Sequence, residues 1–208
     1  MRAILEQLAA LQKQPIAQTI ERRLADFSAF KEKNSSDWFN ELCFCILTGN
    51  AKAATALAIE KEMGHDGFHT HSQSEICACL RQHAHRFHNN KSRYIVEARM
   101  FVDVKERLRG MDDREAREWL ATNVNGLGMK EASHFLRNVG YTSVAIVDRH
   151  IIRGLLDAGL LKVKPKTISR KTYLEIEQKL ERIAEQAKMT LAELDLYLWY
   201  LKTGRVWK

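Results

Sequence analysis

A Gly-x-Gly turn between two amphipathic segments is the feature of this sequence that most constrains its fold. The turn is Gly126-Leu127-Gly128; an acidic pair opens the upstream segment, and Gly140 follows the downstream one, where a C′ glycine belongs. Glycine adopts the backbone angles, or permits the close backbone approach, that so short a connection between helices demands. We therefore predict a helix-hairpin-helix unit over about 111–140, whose second helix could offer its first-turn N–H groups to a phosphate.

Two charged residues distinguish this stretch from an ordinary helix pair. Lys130 stands at the start of the second helix, where a cation opposes the helix dipole by roughly 0.3–1 kcal/mol. Asp148 opens the next predicted helix, DRHIIRGLL, and one helix and a short loop separate it from Lys130. The position of Lys130 conflicts with the helix dipole, and such local conflicts concentrate at functional sites. Both residues could therefore line one cleft, although Asp148 is also a good N-cap and Lys130 could be an ordinary surface lysine.

The stretch VNGLGMK at 124–130, followed by VDRH at 147–150, resembles the helix-hairpin-helix and Gly/Pro–Asp signature of the DNA glycosylase superfamily. Together with GMKEASHFLRN at 128–138, it is similar to the prokaryotic-type 8-oxoguanine DNA glycosylase/AP lyases, the short Ogg family. Sequence similar to that of the family also occurs at 44–48, 86–91 and 197–208, so the resemblance spans most of the chain.

The resemblance implies a bifunctional DNA repair enzyme that excises 8-oxoguanine from duplex DNA and cleaves the abasic site. Lys130 would be the nucleophile, because a lysine amine leaves a Schiff base that permits β-elimination. Asp148 would stabilise the positive charge that develops on the sugar. Two alternatives stay open: a glycosylase/lyase for a different damaged base, and a non-catalytic helix-hairpin-helix DNA-binding module.

The same resemblance assigns three residues to the damaged base, which must be flipped out of the duplex. Phe87 would stack on the base, Trp199 would stack opposite it, and the C-terminal Lys208 would supply polar contacts. Spacing alone favours core packing for Phe87.

DNA-backbone contacts are expected from the hairpin and from the helix after Asp148. The partner would be duplex DNA containing 8-oxoguanine or an abasic site. Relatives often carry lysine or proline where Asn125 stands, and they often hold a structural cation among the hairpin carbonyls. The resemblance implies no catalytic metal and no cofactor. The candidates for backbone contact are Asn125, Gly126, Leu127, Gly128, Arg149, His150 and Arg153.

Composition is compatible with these expectations. The 208 residues carry a formal net charge of +7, which favours an anionic partner. No apolar run approaches the roughly 20 residues of a membrane span, and the N-terminal stretch is typical of an amphipathic helix. We expect a cytoplasmic, nucleoid-associated prokaryotic protein that acts as a monomer.

The predicted fold class is all-α, because helical periodicity is widespread and no convincing strand pattern occurs. We expect two packed helical subdomains with the active-site cleft between them, within one glycosylase unit over 1–208. The Asp148 loop and helix would occupy about 141–158, and the N- and C-terminal helices would form the second subdomain. Two local predictions are a helix capped by Ser36 and one long helix over 91–110.

Cysteines and histidines raise the question of a metal. The four cysteines lie in apolar segments that are predicted to be helical: Cys43, Cys45, Cys77 and Cys79. This setting favours reduced, buried thiols over a zinc site or a disulfide. The chain lacks the C-terminal four-cysteine cluster of the endonuclease III branch. Six of the eight histidines lie within 65–88, but without a recognised ligand framework, so surface and DNA-facing roles are favoured over a metal site.

Overall fold

The structure is a computed structural model, and it describes residues 1–206. These residues form thirteen α-helices and one short 3₁₀ turn, without a strand, which confirms the all-α class. In chain order the helices α1 to α13 are Arg2–Leu11, Ile16–Phe30, Ser35–Thr48, Ala53–Met63, Gly67–Thr70, Gln73–Gln82, His88–Ala98, Val104–Arg107, Asp113–Asn123, Met129–Asn138, Arg149–Asp157, Arg170–Ala187 and Leu191–Thr203. No helix of this part of the chain combines the length and the apolar character needed to cross a bilayer.

The chain forms two compact units. The terminal unit comprises Met1–Lys31 with Leu136–Lys208, and the central unit comprises Glu32–Phe135. The boundary falls within α10, so the predicted hairpin and Lys130 belong to the central unit. Asp148 belongs to the terminal unit.

The central unit is built around α3. This helix packs against α4, α7 and α8, while α6 packs against α4 and α7. The side chains of α3 are apolar on nearly every face, as expected for a helix surrounded by others. Seven of them are fully inaccessible to solvent: Phe39, Leu42, Cys43, Phe44, Cys45, Ile46 and Leu47.

The terminal unit is organised around α13, which packs against α2, α11 and α12, while α1 packs against α12. A buried polar group fixes the last turn of α10 within this unit. Arg137 pairs with Asp195 of α13 and donates from Nη2 to Asn138 Oδ1 at 2.8 Å, and its guanidinium lies 5.0 Å from the Phe27 ring centroid. Because the buried guanidinium is both paired and hydrogen-bonded, its desolvation is compensated.

Two local predictions were wrong. The predicted long helix over 91–110 is interrupted by a 3₁₀ turn, Arg99–Phe101, between α7 and α8. The buried residues Ile95, Ala98, Phe101 and Val104 recur every three positions, which is the repeat of a 3₁₀ helix.

The cap of α3 also differs from the prediction. Asn34, not Ser36, is the N-cap, because its extended backbone lets its side chain accept from Asp37 N at 2.9 Å. Ser36 lies inside the first turn, where its Oγ is 3.0 Å from His69 Nε2.

Candidate active site

The predicted hairpin joins α9 to α10 through a short connection. Asp112 caps α9 in a capping box with Glu115, which fixes the start of this helix. After the end of α10, Gly140 has φ +91°, as predicted for a C′ glycine.

The two hairpin glycines have different roles. Gly126 has φ +92°, and a Cβ there would lie 2.7 Å from Tyr94 Cδ2. Gly128 does not have a positive φ, and a Cβ there would meet Glu131 Oε2 at an ordinary 3.5 Å. Glycine is therefore required at Gly126 by conformation and by contact with Tyr94, but not at Gly128.

The polar groups of the hairpin already have partners within the central unit. Asn125 Nδ2 donates to Glu97 Oε2 at 2.9 Å, and Gly128 N donates to Glu131 Oε2 at a long 3.4 Å. The Leu127 side chain is buried and anchors the turn. A phosphate at this turn would therefore compete with two carboxylates, of which the Glu131 contact is the weaker by distance.

Lys130 lies in the first turn of α10, where its side chain is 27% exposed. Its Nζ is 3.2 Å from Glu131 Oε1, so the expected cation at the start of α10 has an adjacent counterion. Glu131 was not singled out from the sequence. The only signal available was an acid in the first turn, which is common in helices because it favours the dipole.

Asp148 is the N-cap of α11. Its Oδ1 accepts from His150 N and Ile151 N, both at 2.8 Å. Its Oδ2 accepts no hydrogen bond from any residue among 1–206. The capping interpretation of Asp148 is thus confirmed, and one carboxylate oxygen remains available for a second role.

The segment before Asp148 is fixed by two α12 side chains that sequence reasoning missed. Tyr173 Oη donates to Ala145 O at 2.6 Å and accepts from Val147 N at 3.1 Å. Glu177 Oε1 accepts from Ala145 N at 2.8 Å. Residues 144–147 are buried without helical or strand partners, so these contacts satisfy backbone groups that would otherwise be costly. Nothing in the spacing of a tyrosine and a glutamate within an amphipathic helix signals this.

Trp199 and His150 are adjacent in the terminal unit. Their rings meet edge to face with centroids 5.0 Å apart. The buried Trp199 Nε1 has no hydrogen-bond partner among residues 1–206. A cavity of about 250 Å³ opens beside His150, lined also by Ile4, Leu155 and Leu201. Trp199 does not itself line this cavity, and its buried indole N–H is a donor that the fold leaves unsatisfied.

The remaining predicted contacts to DNA differ in their exposure. Arg149 and Arg153 are exposed on α11. In the central unit, Phe87 is half-buried at the N-cap of α7, and the Arg86 guanidinium lies 5.1 Å from its ring centroid. Spacing alone favoured core packing for Phe87, but the side chain is only half-buried. Lys208 lies outside the described residues.

One group of metal-ligand type occurs among residues 1–206, formed by Glu62, Cys79 and His83. Glu62 Oε2 lies 2.6 Å from His83 Nε2, and burial together with the hydrogen bond to Glu62 raises the pKa of the Cys79 thiol to about 11. A protonated thiol and an imidazole that share one carboxylate form a hydrogen-bonded cluster. Cys43 and Cys45 are buried and form no disulfide, as predicted, and Cys77 forms no disulfide and is half-exposed.

Comparison with known proteins places the chain in a family. A family model described as 8-oxoguanine DNA glycosylase matches residues 20–189. An 8-oxoguanine DNA glycosylase/AP lyase of Methanocaldococcus jannaschii is 46% identical over 206 residues, which cover 99% of this chain and 99% of that protein. One from Korarchaeum cryptofilum is 44% identical over 195 residues, covering 93% of this chain and 92% of that protein.

Solved structures agree. A Methanocaldococcus jannaschii 8-oxoguanine glycosylase/lyase in complex with 15mer DNA containing 8-oxoguanine matches with a TM-score of 0.96 at 44% identity, covering 99% of this chain and 100% of that one. The 8-oxoguanine DNA glycosylase of Thermotoga maritima matches with a TM-score of 0.93 at 36% identity, covering 100% and 99%. The fold and the helix-hairpin-helix define a DNA glycosylase of the helix-hairpin-helix class. Within that class the chain belongs to the 8-oxoguanine DNA glycosylase family.

Proposed function

We propose that Lys130 is the nucleophile of a base-excision reaction on 8-oxoguanine in duplex DNA. The chain is a DNA glycosylase with AP lyase activity, as its family membership establishes. A lyase of this kind needs an amine that can form a Schiff base with the sugar. The observation that carries the assignment is a partly exposed lysine in the first turn of the helix after the hairpin, with a carboxylate 3.2 Å from its Nζ.

The chemistry follows from the amine. Neutral Lys130 attacks C1′ of the damaged nucleotide as the N-glycosidic bond breaks, and the base leaves with a proton. The sugar ring opens to a Schiff base on Nζ. Loss of a proton from C2′ then expels the 3′ phosphate by β-elimination, and water hydrolyses the imine to regenerate Lys130. Each step moves a proton, so an acid–base group must accompany the amine.

Asp148 is proposed for that accompanying role. Its Oδ1 is held by two backbone N–H groups, while Oδ2 is available. A carboxylate fixed in this way can stabilise the positive charge on the sugar and take up protons without reorganising, which is how electrostatic stabilisation is most effective.

Base recognition is proposed for Phe87, Trp199 and Lys208. Phe87 presents a half-buried ring, and Trp199 has an unpaired N–H donor. Stacking on an aromatic ring contributes roughly 1–3 kcal/mol per base. Replacing either ring with alanine should therefore slow excision of 8-oxoguanine more than cleavage of a preformed abasic site, which has no base to hold.

The DNA backbone is proposed to contact Arg149, Arg153 and His150 together with the hairpin residues 125–128. The two arginines are exposed, and guanidinium groups suit phosphate geometry. Each phosphate contact should add to the salt dependence of binding. Nothing in this arrangement requires a second subunit, and we propose that the protein acts as a monomer.

Borohydride trapping tests the proposed nucleophile. Wild type and Lys130→Gln are incubated with a duplex carrying one 8-oxoguanine, and Lys164→Gln, an exposed lysine of the loop before α12, serves as the matched control. A covalent adduct should form with wild type and Lys164→Gln but not with Lys130→Gln. Base release by wild type without any adduct would overturn the Schiff-base assignment.

A further inference from the structure

A buried lysine near the proposed nucleophile is unexplained by the mechanism so far. Lys91 belongs to α7 and is only 6% exposed. Burial lowers the pKa of Lys91, the Glu131 carboxylate opposes that effect, and the positive charge of Lys130 adds to it. Lysines are almost never buried in this way without a specific partner.

Gly49 provides the space for this ammonium. A Cβ at Gly49 would lie 2.7 Å from Lys91 Nζ and 3.2 Å from Glu131 Oε1. The missing side chain of Gly49, the C-cap of α3, therefore marks the place where the ammonium and the carboxylate converge. The φ of Gly49 is −62°, so glycine is needed here for space and not for conformation.

Glu131 connects the two lysines. Its Oε1 is 3.2 Å from Lys130 Nζ and borders the same Gly49 space as Lys91 Nζ, while its Oε2 accepts weakly from Gly128 N. One carboxylate thus pairs with the Lys130 ammonium, accepts from one hairpin amide and lies across the Gly49 space from the Lys91 ammonium, on which its charge acts. A single negative charge cannot fully stabilise both cations, so each lysine weakens the hold of Glu131 on the other.

The other titratable group facing Lys91 is a neutral one. His85 is 2% exposed, its Nε2 is 3.0 Å from Leu47 O, and burial lowers its pKa, with Lys91 adding to that effect. The charge of the cluster is therefore set by Lys91, Glu131 and Lys130. Two cations and one anion leave it with a net positive charge.

We infer that Lys91 is a positioning residue that acts through Glu131 to keep Lys130 ready to lose its proton. By engaging the carboxylate from the Gly49 side, the Lys91 ammonium reduces the stabilisation that Glu131 gives to the ammonium form of Lys130. The proton released by Lys130 passes to solvent, to which Lys130 and Glu131 are both partly exposed. This inference rests on the proposed role of Lys130 as the nucleophile.

The test is the pH profile of β-elimination on preformed abasic DNA, measured in single turnovers with enzyme in excess. In Lys91→Met the midpoint of the acidic limb should move up by about one pH unit. The Glu131 carboxylate would then act on Lys130 alone and favour its ammonium form. In Glu131→Gln the midpoint should move down. Adding Lys91→Met to Glu131→Gln should shift the midpoint much less than adding it to wild type. Arg93→Gln, an exposed cation on the same helix, is the control and should keep the wild-type midpoint.

Gly49→Ala addresses the chance that Lys91→Met fails to fold. The new methyl would displace the Lys91 ammonium without removing its charge, and the backbone of Gly49 accepts alanine. This variant should move the midpoint in the same direction as Lys91→Met, by a smaller amount. An unchanged midpoint in a folded Lys91→Met or Gly49→Ala would overturn the inference and leave Lys91 as a structural charge.

The two proposals fail in distinguishable ways. Loss of trapping in Lys130→Gln with an unchanged midpoint in Lys91→Met would retain the nucleophile and reject the positioning role. Trapping that persists in Lys130→Gln and disappears in Lys91→Met would make Lys91 itself the nucleophile, which rejects both.

Discussion

Asp148 in the terminal unit and Lys130 in the central unit both lie at the beginning of a helix, but different kinds of atoms hold them. Asp148 is fixed by two backbone N–H groups, and Tyr173 and Glu177 fix the buried segment that precedes it. Lys130 contacts the side chain of Glu131, whose charge also acts on Lys91. Asp148 is thus held by backbone groups and Lys130 by a side chain, which suits the proposed role of Lys130 as a nucleophile that changes protonation and becomes covalently attached during turnover.

The largest effect should come from separating the charge of Asp148 from its capping role. Asp148→Asn keeps an N-cap but removes the charge, so we expect a normally folded protein whose excision rate falls by about 10²–10⁴. Single-turnover base release and thermal unfolding measure the two properties separately. Asp148→Ala should also lose roughly 0.5–2 kcal/mol of stability. Near-normal excision by Asp148→Asn would reduce this residue to a cap.

Tyr173→Phe tests whether the rigidity around Asp148 matters for the reaction. The change leaves Val147 N and Ala145 O buried without their partner, at a cost of roughly 1–3 kcal/mol in the free energy of unfolding. If the segment orients Asp148, kcat should fall while KM changes little. Tyr200→Phe, in the half-buried part of α13, is the control for loss of a hydroxyl. Reduced stability with an unchanged kcat would show that the segment is structural only.

The hairpin glycines offer a matched pair. Gly126→Ala introduces a Cβ against the Tyr94 ring at φ +92°, and we expect a loss of roughly 1–3 kcal/mol in the free energy of unfolding. Gly128→Ala meets only an ordinary contact and should lose less than about 1 kcal/mol. Urea unfolding of the two variants provides the comparison. Equal losses would mean that the turn constrains both glycines alike.

The smallest expected effect is a pH dependence of stability that arises in the central unit. Burial lowers the pKa of His85 below its ordinary 6.5, so the unfolded chain binds this proton more readily than the folded chain. The stability from neutral His85 is complete above pH 6.5 and is lost as the pH falls towards the folded-state value. His85→Gln should flatten this part of the stability curve. An equally steep curve in the variant would assign the dependence to other groups, such as His69, whose pKa burial also lowers.

The sequence was sufficient where the relevant signals are local. Short spacings and periodicity predicted the hairpin, the cap at Asp148, the C′ glycine at Gly140 and the buried helix α3, while the acidic pair at 112–113 marked the start of α9 without deciding which residue caps it. The break in the predicted 91–110 helix was missed because a three-residue repeat of buried positions resembles a helical one over a short span.

The supporting side chains could not be found in this way. Tyr173 and Glu177 lie 28 and 32 positions after the Ala145 backbone groups that they bond, and Gly49 is far in sequence from Lys91 and Glu131. Such pairings are made by tertiary packing, and each residue by itself has an ordinary local environment: a helix-face tyrosine, a helix-end glycine, a first-turn acid. Only the three-dimensional arrangement identifies what they do.

The identity of the lysine that becomes attached to DNA tests the proposed nucleophile most directly. The adduct trapped by borohydride on 8-oxoguanine duplex would be digested, and the peptide carrying the reduced sugar remnant would be sequenced by tandem mass spectrometry. We predict modification at Lys130, in the peptide that contains GMKEASHFLR, with Lys91 unmodified. Modification at Lys91, or at the N-terminal amine, with Lys130 unmodified would contradict it.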